Sequence, residues 1–176
     1  MKQTIRNAVL TVLLIAVGSP LLTSADELKA EAQKAIKSLQ SADSSLTNAF
    51  NGSAGYAVFP SVGKAGLFFG AEHGNGIVYE KGKRIGEATL TEINVGAQVG
   101  GQAFYEVIFF ETPEALANFK QSNYEMSAKV SAVLAAEGAS ANARYREGVM
   151  VFTLARNGLM VQAAIGGQKF KYKSLN

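Results

Sequence analysis

From Leu28 to Ala49 the apolar residues Leu28, Ala32, Ala35 or Ile36, Leu39, Ala42, Leu46 and Ala49 return every three or four positions. That spacing is one face of an α-helix, and it predicts a single amphipathic helix over residues 26–49. Asp26 and Glu27 suit its start, where the backbone dipoles favour negative charge, and Asn51-Gly52 stops it. Lys29, Glu31, Lys34 and Lys37 fall mostly on the remaining surface. The stripe is rich in alanine and modest in area, which suits packing on the protein's own sheet. The competing role is shallow docking on a membrane; helices that do so usually carry more leucine or aromatic surface and a more basic opposite face.

From Gly55 the period changes to two. Tyr56-Ala57-Val58-Phe59 reads as a strand closed by Pro60, which has no N–H to give to a central ladder. Ala65 to Ala71 reads as a second strand, His73-Gly74-Asn75-Gly76 as a turn, and Ile77 to Glu80 as the returning strand. Lys81-Gly82-Lys83 predicts a tight hairpin into Arg84–Leu90. Strands follow at Asn94–Gln98 and Ala103–Phe110, the second so apolar that burial on both faces is expected. Thr112-Pro113-Glu114 combines an N-cap, a first-turn proline and an early acid, and predicts a helix to about Ser122. Most of the 18 glycines lie between Gly52 and Tyr105. Large apolar residues sit between them, so the stretch reads as β-structure whose backbones pass closely, not as a linker.

Met126 to Ala143 carries two conflicting patterns. Its alanine content favours a helix, whereas Met126, Ala128, Val130, Ala132 and Leu134 alternate as in a half-buried strand; propensity tips the reading to helix. Glu137 to Ser140 reads as a turn. Val149–Ala155, Asn157-Gly158 and Leu159–Ile165 form a last hairpin signal, and Gly166-Gly167 leads into a strand over Gln168–Lys173. No repeat or low-complexity linker divides the chain. The expected fold class is α+β: a single β-rich domain of mostly antiparallel strands and hairpins, with an N-terminal amphipathic helix and one or two further helices.

Residues 1–25 stand apart from this pattern. Lys2 and Arg6 precede the apolar stretch Ala8–Val17, Gly18 and Pro20 interrupt it, and Thr23-Ser24-Ala25 supplies small residues. This is the layout of a signal peptide cleaved near Ala25, leaving residues 26–176 as the expected domain. The apolar run is shorter than the ~20 residues needed to span a bilayer. The whole chain has 17 basic and 14 acidic side chains; Lys2 and Arg6 belong to the leader, so 15 and 14 remain. Attraction to an anionic partner must therefore come from local clusters, and nucleic acid is not an expected partner. The absence of cysteine excludes disulfides, thiolate metal sites, cysteine nucleophiles and lipid attachment at a cysteine. Export without disulfides points to a bacterial periplasmic or secreted protein.

Several ordered motifs carry a family resemblance. They are Ala57-Val58-Phe59-Pro60, Val62-Gly63-Lys64-Ala65-Gly66, Gly70, and Glu72-His73-Gly74-Asn75-Gly76, followed by Gln98-Val99-Gly100-Gly101-Gln102-Ala103 and the step from Phe109 to Leu116. Arg156 to Leu159 and a closing glycine at Gly166 or Gly167 complete the set. In these the chain resembles the SYLF domain family, over roughly residues 28–173. The resemblance implies a mixed β-rich fold with flanking helices, and it implies that Met126–Leu134 is a strand, the reading adopted over propensity. Its bacterial members are described as lipid-binding. The phosphoinositide and actin association of eukaryotic members leans on appended domains and on another compartment, and is not expected to carry over. What transfers is binding of anionic phospholipid.

Catalysis has little support in the residues. His73 is the one histidine, set among glycines, and Glu72, Glu80, Glu87, Glu92, Glu106 and Glu111 show no paired spacing. Gly63-Lys64-Ala65-Gly66 lacks the pattern of a phosphate-binding loop. No enzyme activity and no cofactor are expected. Two basic clusters remain. Lys81, Lys83 and Arg84 sit at a hairpin tip, and Lys169, Lys171 and Lys173 share one face of a strand, alternating with Phe170 and Tyr172. Lys64, inside the glycine motif, is the cation tied most closely to the resemblance. The expectation is a non-enzymatic lipid-binding module that presents these seven residues to an anionic phospholipid or membrane surface. The alternative is a protein-interaction or envelope-structural module with an envelope protein partner and no lipid. A carrier with an apolar cavity is a minor third.

Overall fold

The computed structural model describes residues 24–64, 71–93, 103–121, 123–156 and 165–175. Helices α1 (Ser24–Ala42) and α2 (Leu46–Gly52) lead into strands β1 (Gly55–Lys64), β2 (Ala71–Glu80), β3 (Lys83–Ile93) and β4 (Phe104–Phe110). Then come α3 (Pro113–Phe119), β5 (Tyr124–Glu125), β6 (Ala132–Leu134), the one-turn α4 (Ala139–Asn142), β7 (Val149–Ala155) and β8 (Lys169–Ser174). The strands form one mixed sheet in the order β5-β8-β3-β2-β1-β4-β7-β6. Every pairing is antiparallel except β6 with β7. This is the α+β architecture that the alternation and the helix signals called for.

Alternation in the central strands sends side chains to two apolar layers, one on each face. Ala57, Phe59, Val78, Leu90, Ile108 and Phe170 belong to one, together with Leu116 and Phe119 of α3 and with Met126 and Val130. Rings fill it: Phe119 lies 4.8 Å from Phe110 and 5.3 Å from Phe170, and Phe59 lies 5.6 Å from Phe170. Tyr56, Val58, Ile77, Tyr79, Val107, Phe109 and Phe152 form the other layer, which Ala32, Ala35 and Leu39 of α1 and Leu46 of α2 cover. All of β4 is buried, as its composition required. The helical stripe is thus spent on the protein's own sheet, since Ala32, Ala35, Leu39 and Leu46 are fully buried.

Several local expectations need correction. The helix over 26–49 is broken at Asp43. The Asp43 N–H still donates to Leu39 C=O (3.0 Å), but the Asp43 carboxylate turns to accept from the Ser45 N–H (3.1 Å) and the Ser45 hydroxyl. Pro60 does not end β1. The strand runs on to Lys64 and changes register with both neighbours between Val58 or Phe59 and Val62, a bulge that leaves Pro60 outside the ladder. His73–Gly76 is not a turn but the middle of β2. Met126–Ala143 is neither a helix nor one strand: β5 ends just before it, β6 takes only Ala132–Leu134 at the opposite edge of the sheet, and α4 follows. The strands expected at 65–70 and 94–98 and the Asn157-Gly158 hairpin fall outside the described residues, as does the leader up to residue 23.

Other signals hold as read. Lys81 and Gly82 both have positive φ (49° and 73°), the backbone of a two-residue hairpin turn. The Thr112 hydroxyl accepts from the Ala115 N–H (3.2 Å) with Pro113 opening α3. Thr112→Ala is expected to lower stability by about 1 kcal/mol, read as a shifted denaturant midpoint at unchanged slope. An unchanged midpoint would remove this cap from the account.

Candidate functional site

The seven cations do not form one surface. The pairings Gly63–His73, His73–Thr91 and Thr91–Lys169 run straight across four strands, so Lys64, the last residue of β1, and Lys169 lie toward one end of the sheet. The β2–β3 hairpin lies at the other end, where Glu80 pairs with Lys83. Lys171 and Lys173 are opposite Thr89 and Glu87, so the β8 row runs from the Lys64 end toward the hairpin. The far end of that row and the hairpin lie at the same end of the sheet, but Lys83, opposite Glu80, falls on the Val78 face, whereas Lys171 and Lys173, opposite Thr89 and Glu87, fall on the Ile77 face.

Their environments separate them further. Lys81, Lys83, Lys171 and Lys173 are exposed. Arg84 is ion-paired with Glu87, and its side chain is only 23% exposed. Burial pushes the Tyr79 phenol above its ordinary value, while the Gln33 amide and the nearby Arg84 charge pull it back. Arg84 therefore serves the fold more than the solvent face. Lys169 lies 3.8 Å from Glu125 in a loose, exposed pair, worth little on its own. Phe170 is fully buried and Tyr172 half-buried on the other side, so the three lysines share one face as the alternation predicted. β8 is not simply an edge, because β5 pairs with Lys169 and Phe170.

Across that face β3 adds Thr89 and Thr91, and β2 adds exposed His73 and Asn75. The Thr89 hydroxyl donates to the Asn75 side-chain oxygen (3.4 Å). Between this polar strip and the start of α1 lies a groove of about 680 Å³ whose charged lining is Glu27, Glu31 and Glu87. An acidic lining does not attract an anionic headgroup, so the lysines beside the groove, not the groove, are the cationic feature. Among the described residues no group of three or more His, Asp or Glu is placed to hold a metal ion. No helix among them is long and apolar enough to cross a membrane.

Sequence reading missed one residue of this region. Leu175 follows β8 and is 50% exposed, one of two exposed large hydrophobics among the described residues. A leucine two residues beyond the last lysine carries no periodic signal of its own; only the β3–β8 pairing shows what it stands beside.

No family model matches the chain. It is similar to a curated protein of Aeromonas veronii, Beta cell expansion factor A, at 28% identity over 124 residues. The match covers 69% of this chain and 46% of that protein, so the chain spans about half the length of the curated relative.

Proposed function

We propose that this protein is an exported, non-enzymatic SYLF-like module that binds anionic phospholipid surfaces through exposed lysines on a rigid β scaffold. The observation that carries this is the β8 row, where Lys171 and Lys173 stand exposed on one face while Phe170 is buried beneath them. Pairing of β8 with β3 brings the row's end to the hairpin that holds Lys81 and Lys83. Near an anionic membrane each such side chain adds about 1 kcal/mol, fading within a Debye length. Four of them give weak, reversible, salt-sensitive association. Arg84 and Lys169, already paired, contribute less, and the lipid role of Lys64 is proposed on the SYLF resemblance alone.

Co-sedimentation with vesicles tests this directly. The protein is expected to pellet with phosphatidylglycerol-containing vesicles at low salt and to be released at high salt. It should ignore pure phosphatidylcholine. The double substitution Lys171→Ala with Lys173→Ala should weaken binding roughly thirtyfold. Binding indifferent to lipid charge, or to both substitutions, would overturn the proposal in favour of a protein-interaction module.

A further inference from the structure

A second cleft opens on the α1 face of the sheet, between α1, the end of α2 and the β2–β3 hairpin, with a volume of about 560 Å³. Small-ligand sites commonly enclose about 300–1,000 Å³. Its floor is aromatic. The Tyr56 ring stacks on Tyr79 at 4.9 Å and meets the edge of Phe50 at 5.0 Å, so it offers no open face to a planar base. Gln33 and Gln40 stand two helical turns apart on the α1 wall. Long hydrogen bonds orient both amides, from Gln33 to the Tyr79 hydroxyl (3.5 Å) and from Gln40 to the Thr47 hydroxyl (3.4 Å). Asn51 and Ser53 line the cleft from the end of α2. The Ser53 hydroxyl is buried and has no hydrogen-bond partner among the described residues.

Lys81, exposed at the hairpin, is the one charged residue of this lining. Its neighbour Glu80 lies on the Val78 face, away from the cleft. A lysine with no opposing acid suits an anion. Amides and hydroxyls each offer a donor and an acceptor, which suits a ligand that carries hydroxyls of its own. A phosphate beside free hydroxyls meets both demands. Resting on the lipid-surface reading above, we propose that this cleft binds a phosphoglycerol unit, as the headgroup of phosphatidylglycerol or as a soluble ester. The phosphate faces Lys81, and the Asn51 and Gln40 amides and the Ser53 hydroxyl take the glycerol hydroxyls. The β8 lysines then respond to charge, and the cleft decides which anionic headgroup is held.

Phosphatidylglycerol and phosphatidylserine vesicles carry equal charge, but only the first presents free headgroup hydroxyls. The protein should bind phosphatidylglycerol roughly fivefold more tightly, and glycerol 3-phosphate should compete away that excess. Gln40→Leu with Asn51→Leu leaves the charge unchanged; it should abolish the preference and leave phosphatidylserine binding as it was. In the unsubstituted protein, glycerol 3-phosphate should shift the amide resonances of Asn51, Ser53, Lys81 and Gly82 saturably. These shifts decide alone if the double variant fails to fold. Equal binding of both lipids without such shifts, or a preference that survives the double substitution, would overturn this inference and leave the lipid-surface reading standing. Saturable shifts with equal binding of both lipids would assign the cleft to the soluble ester. Saturable shifts without binding to any vesicle would keep the cleft and overturn the lipid-surface reading. Neither shifts nor vesicle binding would overturn both.

Discussion

Gly76→Val is expected to destabilise the fold by about 3 kcal/mol, whereas Gly52→Ala should change stability by only a few tenths. A Cβ at Gly76 would fall 2.6 Å from a Phe59 ring carbon and 2.7 Å from the Val58 carbonyl oxygen. The ring is fully buried against Phe170 and the oxygen belongs to a neighbouring central strand, so neither can retreat. A Cβ at Gly52, the last residue of α2, would meet nothing within 4 Å. Both substitutions reduce the freedom of the unfolded chain, so the large loss expected at Gly76 alone reports the close approach there. Urea unfolding of the two variants checks it. A Gly76→Val loss below about 1 kcal/mol would mean that β1 and β2 can separate without penalty, contrary to the packing described.

The same glycine shows what a sequence can and cannot reveal. Glycine density correctly marked backbones in close passage, but His73-Gly74-Asn75-Gly76 has the local look of a turn. What makes it a strand is the Phe59 ring on the next strand, which lies against Gly76 and leaves no room for a side chain there. Pro60 misled in the same way: its missing N–H was read as a stop, and the register shift absorbs it inside a central strand. The β8 lysines were legible because period two is a local property. The place of Leu175 beside Ile85 was not, because it is made by pairing residues about ninety positions apart. Met126–Ala143 fits neither pattern because it crosses from one layer to the other. Met126 and Val130 are buried in the layer under α3, and Ala135 in the layer under α1.

Asp43→Ala should cost about 3 kcal/mol, the other large effect, because one buried carboxylate organises two chain segments nearly a hundred residues apart. Its oxygens accept from the Ser45 N–H (3.1 Å) and hydroxyl, the Gly138 N–H (3.3 Å) and the Ser140 N–H (2.7 Å). It thereby ends α1, starts α2 and caps α4. Ser44 adds a hydroxyl donated to Glu137 (2.8 Å), and the Ser45 and Ser140 hydroxyls touch. Hydrogen bonds to a charged group contribute about 1.5–3 kcal/mol each, and donors left buried without a partner add a desolvation penalty. Burial alone would push the Asp43 carboxyl up; the hydrogen bonds from Ser45 and Ser140 outweigh it and hold the group below its ordinary value of 3.8. A carboxyl depressed in the native state stabilises fully above its unfolded value, and that contribution is lost as pH falls through the native one. The gap between the unsubstituted protein and Asp43→Ala should therefore be widest near neutral pH and shrink below about pH 4. A gap that stayed constant down to pH 2 would mean that the clip acts by shape alone and not through the charge of Asp43.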